Sequence, residues 1–155
     1  MTQQELQTYT NHRGYFCMLG TRDRHMQPSV TRAFGFKLSE DGKMISAFIP
    51  KVISEKHIQN LQDNQRAAFI TTDPFTHVAY QFKGRYVSHQ DCTESDIKIF
   101  QENAALTCKF IAAAFGEHMV TVMQSLNIFP LICVTFKIED IFNQTPGPGA
   151  GKKTN

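Results

Sequence analysis

Ser54 and Lys56 stand two residues apart at the head of Ser-Glu-Lys-His-Ile-Gln-Asn-Leu-Gln-Asp-Asn, residues 54–64. Ser54 is a favoured N-cap, and Ile58 and Leu61 follow at helical spacing, so a short helix is predicted here. A helix start presents unpaired backbone N–H groups and the positive end of its dipole. A lysine in that first turn opposes the dipole, and an anion removes the conflict. With the Ser54 hydroxyl and the Lys56 ammonium added, the chemistry on offer is a phosphate cradle. Arg32 is the second residue of interest, because it occupies a parity shared with Val30, Phe34 and Phe36 in a strand-like run. A guanidinium held among apolar side chains needs an anion, supplied either by a ligand or by a structural carboxylate.

Other chemistries find less support. The six histidines (12, 25, 57, 77, 89 and 118) form no His-Glu-x-x-His pattern and no close Cys/His set, so no metal site is expected. Cys17, Cys92, Cys108 and Cys133 include no C-x-x-C pair. Cys17 and Cys133 sit in apolar runs and read as small core residues, with Cys92 the more exposed of the four. No nucleophile elbow is present, and no side chain is assigned as a catalytic acid or base.

Composition sets the frame for these residues. A chain of 155 residues suits one domain with one sizeable core. Sixteen basic against fourteen acidic side chains leave a formal charge of +2, too little for nucleic acid to be the main partner. No run approaches the ~20 apolar residues of a membrane helix, and no charged-then-apolar leader is recognisable. The expectation is a cytoplasmic protein with free thiols. Thirteen Phe and no Trp point to a Phe-rich core or subunit interface.

The elements that must position these groups are mostly strands. Strand-like runs fall at 15–19, 30–36, 44–49, 67–72, 78–88 and 131–142, bounded by turn signals such as Asp41-Gly42 and Asp73-Pro74. Gly84 inside the fifth run marks a bulge or a close backbone approach. Helices are predicted at 54–64 and from a Thr93/Asp96 capping box to about Gly116, with a short helix or arm at 2–11. Six strands and two or three helices, without regular strand–helix alternation, favour a mainly β barrel over a parallel sheet. The run 44–49 is apolar on both parities, which predicts cover on both faces and supports a homodimer. Residues 1–142 form the expected domain, and the Pro/Gly-rich 143–155 an irregular tail.

In this order the motifs resemble the pyridoxamine 5′-phosphate oxidase-like family of FMN-binding split barrels. The matching pieces are Gly20-Thr21-Arg22-Asp23, Pro28 with Val30-Thr31-Arg32-Ala33-Phe34-Gly35, Asp41-Gly42, Phe48-Ile49-Pro50, Ser54-x-Lys56 with Asn60-Leu61 and Asn64, and Tyr80-Gln81-Phe82-Lys83-Gly84. They cover roughly residues 15–89. The stretch 145–151 looks like tails in a short-chain branch of the family.

The resemblance implies a six-stranded Greek-key split β-barrel that binds FMN between the subunits of a homodimer. It implies that Ser54 and Lys56 hold the phosphate and that Arg32 reaches the phosphate or the ribityl chain. Phe48, Ile49 and Pro50 would line the isoalloxazine through backbone groups, and Gln81 would approach it from the partner. The implied activity is flavin-dependent oxidation or reduction of a small molecule. The alternatives are a flavin carrier or sensor, or a haem-binding relative, haem being the less favoured cofactor. Where the oxidase proper carries a second basic residue beside the lysine, this chain has Glu55, and it lacks the C-terminal aromatic and Arg clamp. Both departures imply a relative rather than the oxidase itself.

Overall fold

The computed structural model describes residues 2–12, 14–126 and 128–154. In chain order the elements are α1 (Gln3–Asn11), β1 (Phe16–Arg22), β2 (Pro28–Ala33), β3 (Phe36–Leu38), β4 (Met44–Pro50), a 3-10 turn (Lys51–Ile53), α2 (Glu55–Asn64), β5 (Arg66–Thr72), β6 (Ala79–Asp91), α3 (Glu94–Phe115), α4 (Glu117–Ser125) and β7 (Leu131–Asn143). The strands form one antiparallel sheet in the order β2-β1-β5-β6-β7-β4-β3. The mainly β expectation holds, while the count of six strands is corrected to seven and the expected two or three helices to four.

The extra strand has a local cause. The run expected as one strand from Val30 to Phe36 breaks at Phe34-Gly35 into β2 and β3. They lie on opposite edges of the sheet, and no ladder joins them. The bend itself is pinned to β4: Phe34 N–H donates to Phe48 O at 2.8 Å, and Phe48 N–H donates to Gly35 O at 2.9 Å. Gly35 suits this bend, because a Cβ there would lie 3.0 Å from the Phe48 ring and would force that ring to shift. The curled sheet encloses Leu19, Ile45, Phe69, Phe82, Val134 and Phe136, all fully buried.

Gly84 behaves as its position in the run predicts. The β6–β7 register shifts between Lys83 and Gly84, and a Cβ at residue 84 would overlap the Lys137 carbonyl. Helix α3 opens on the expected capping box, with Thr93 Oγ1 accepting from the Asp96 N–H and Asp96 Oδ2 accepting from the Thr93 N–H at 2.9 Å. It stops at Gly116, whose φ of +88° favours glycine.

The outer face of β4 is covered differently from the expectation. Phe48 packs with Leu131 and Cys133 against Cys92, Ile97 and Phe100. On the second apolar parity of 44–49, Phe48 is therefore buried under α3 of the same chain and does not require a partner subunit, while Met44 stays exposed. Asn103 ties α3 to the β1–β2 region. Its Oδ1 accepts from the N–H groups of Gly14 and Tyr15, and its Nδ2 donates to the carbonyls of Tyr15 and Phe34. A buried amide satisfied on both ends fixes the helix in one position. No helix among the described residues is long and apolar enough to cross a membrane. The tail folds back along the sheet, with Thr154 N–H donating to Ile141 O and Lys153 bridging Phe142.

Candidate functional site

Ser54 and Lys56 lie at the turn between β4 and α2, with one change from the expected arrangement. Ser54 does not cap α2 through its side chain. The 3-10 turn runs straight into the helix, so Ser54 has helical angles (φ −80°, ψ −23°) and its hydroxyl donates back to Lys51 O at 2.8 Å. As a result the N–H groups of Glu55, Lys56 and His57 have no acceptor among the described residues. An uncapped start is the less stable form of a helix and the better one for an anion.

A hollow of about 300 Å³ opens beside this turn, lined by Lys51, Ser54, His89, Gln90, Asp91 and Ile132. Lys51 Nζ donates to Asp91 Oδ1 at 2.7 Å, and Lys56 is exposed. Sequence reasoning passed over Lys51. Its signal would have been a cation directly after the Pro50 that ends β4. His57 lies behind the turn, 6% exposed, with Nδ1 3.0 Å from Thr21 Oγ1. Asn60 Nδ2 donates to the same hydroxyl at 3.1 Å. Burial, with Lys56 next in line, holds the His57 pKa below its ordinary value.

Phe48, Ile49 and Pro50 end at this turn, all three buried. The Phe48 N–H is already engaged by Gly35 O, and its ring faces α3. Arg32 is not part of the Ser54 hollow. It lines a second cavity, of about 270 Å³, between β2 and the α3–α4 pair. Its guanidinium carbon lies over the rings of Phe16 and Phe34, 5.2 Å from each centroid. The structural carboxylate that was one of its two expected partners is not supplied by any described residue.

Gln81 stands on the outer face of the sheet. The registers Met18↔Arg32, Met18↔Ile70 and Ile70↔Gln81 put Arg32, Met18, Ile70 and Gln81 in one cross-strand row. The next row is Val30, Gly20, Ala68 and Lys83. Arg32 and Gln81 are thus three strand spacings apart, roughly 14 Å. Met18 and Val30 are 50% and 62% exposed, so this face is apolar and open. Cys92 is half-buried and more exposed than Cys17 and Cys133, as expected, but it packs against the cluster under α3 and burial pushes its pKa up to about 12, away from any nucleophilic role.

No protein-family model and no curated protein matches this sequence. Solved structures do match over most of the chain. HupZ from Group A Streptococcus shares 19% identity at a TM-score of 0.54, covering 97% of this chain and all of that one. An FMN-binding protein from Syntrophomonas wolfei shares 16% at 0.53, covering 91% and 87%. A putative pyridoxamine 5′-phosphate oxidase from Lactobacillus delbrueckii shares 13% at 0.51, covering 92% and 93%. The architecture is that of the pyridoxamine 5′-phosphate oxidase-like split barrels.

Proposed function

We propose that this protein binds FMN, with the phosphate at the turn from Lys51 to Lys56, and acts as a flavin-dependent oxidoreductase on a small molecule. The observation that carries the reading is the uncapped start of α2, where three N–H groups have no acceptor among the described residues, beside the exposed Lys56 and next to a hollow of about 300 Å³ that Lys51 and Ser54 help to line. The Lys51–Asp91 pair is the main competitor. Its side chains are 52% and 70% exposed, and pairs of that kind contribute only about 0–1 kcal/mol, so a dianion can displace the carboxylate. Glu55 points elsewhere, its carboxylate accepting from Gln59 Nε2.

Bound flavin would supply hydride and electron transfer, and the chain would supply the phosphate grip and exclude water from the ring. A second copy of the chain would lie over the open face around Met18 and Val30. That arrangement would place Gln81 at the interface, in the role the family resemblance implies.

FMN fluorescence titration of the purified protein tests the cofactor. Saturable quenching is expected, weakened at least tenfold, about 1.4 kcal/mol, by combined Ser54→Ala and Lys56→Ala substitution. Failure to take up FMN, or a Soret band on adding haemin with no response to FMN, overturns it. Bound FMN without turnover of reduced nicotinamides would leave the carrier reading in place of the enzyme.

A further inference from the structure

The geometry points to a second ligand site: the cavity between β2 and the α3–α4 pair binds a small apolar carboxylate, held by the Arg32 guanidinium. The walls are largely apolar, built from Phe34, Phe100, Ile111, Met123, Ile128 and Phe129, and the volume is about 270 Å³. Two of the polar groups in the lining are already engaged. Asn103 makes four hydrogen bonds to backbone, and Thr107 Oγ1 donates to Asn103 O. Arg32 differs. Its guanidinium makes no hydrogen bond and no ion pair with any described residue, yet the residue is partly buried.

The rings of Phe16 and Phe34 attract the guanidinium through cation–π contact. The five N–H donors lie in the plane of the group, and a cation–π contact offers them no acceptor oxygen. A carboxylate matches that fork with two parallel hydrogen bonds and neutralises the single charge. The apolar remainder of the ligand would fill the Phe- and Ile-lined space. This site is separate from the Ser54 turn, and it stands whether or not FMN binds there.

Isothermal titration calorimetry with cinnamate, and with cinnamamide as its neutral counterpart, tests the site in the absence of FMN. Cinnamate is expected to bind at least tenfold more tightly than the amide. Arg32→Met should bring the two to parity, and Ala104→Phe, which fills the cavity, should remove both. Equal affinities in the unsubstituted protein, no binding of either compound, or undiminished binding by the Ala104→Phe variant overturns the proposal. Phenyl phosphate binding more tightly than cinnamate overturns the choice of a carboxylate. If Arg32→Met does not fold, the Arg32 Nε–H resonance of the unsubstituted protein decides: it should move with cinnamate and stay still with cinnamamide. FMN titration of the same samples, read by flavin fluorescence, keeps failure here distinct from failure of the flavin reading.

Discussion

His57 shows how one buried side chain links the turn to the stability of the fold. Thr21 Oγ1 accepts from Asn60, and its own hydrogen can go to His57 Nδ1, an arrangement that suits a neutral imidazole. Burial and the neighbouring Lys56 lower the folded pKa below the ordinary 6.5. Below that ordinary value the unfolded chain binds a proton that the folded chain resists. The contribution is therefore present above pH 6.5 and is lost as pH falls through the folded pKa. Urea midpoints measured from about pH 7 down to about pH 5 should fall, and the His57→Gln variant should show a flatter profile. An unchanged slope in that variant would assign the acid loss to other groups.

The placement of α3 depends on two contacts, Asn103 with the segment before β1 and the bend at Phe34, and Asp96 with Lys37 of β3. Asp96 is fully buried and accepts from Lys37 Nζ at 2.6 Å. Burial alone would raise its pKa, but the Lys37 and Thr93 hydrogen bonds outweigh that and hold it below the usual carboxylate value. Lys37→Met keeps most of the packing and leaves a buried carboxylate without its cation, which should cost about 3 kcal/mol in chemical denaturation. A loss under about 1 kcal/mol would mean that the Thr93 cap alone satisfies Asp96. In the long β6–β7 ladder, Gly84→Ala places a methyl group on the Lys137 carbonyl, which backbone cannot yield cheaply. The expected penalty is about 3 kcal/mol, the upper end for overpacking, read as a lowered denaturation midpoint.

For the molecule as a whole, the open face of β2-β1-β5-β6 is the surface that a second copy would cover. Phe48, on the outer face of β4, is already covered by α3, so a dimer must use other residues. Met18, Val30, Ala68 and Ile70 form the apolar part of two adjacent rows, bordered by Arg32, Gln81 and Lys83. Sedimentation should give twice the chain mass, and Met18→Asp, at a position already half exposed, should yield a folded monomer. A native protein that sediments at the chain mass would remove the interface role of Gln81.

Pattern and turn chemistry in the sequence determined most of the strands, the capping box of α3, the bulge at Gly84 and the burial of Cys17 and Cys133. All of these follow from local sterics, hydrogen bonding and hydrophobic period. The break at Phe34-Gly35 was not legible, because only the approach of the Phe48 ring and the β4 backbone makes a bend there better than a straight strand. Nor was α4, whose limits rest on Gly116 ending one helix and starting another. The turn at Ser54 was found from the sequence, but its hydroxyl's return to Lys51 O depended on the 3-10 turn before it. Arg32 shows the limit most clearly. Its parity marked it as a guanidinium in need of an anion, while tertiary packing decided that two phenyl rings and an apolar cavity surround it. Charge and spacing are local properties of the chain, whereas which groups share a cavity is set by how distant segments pack.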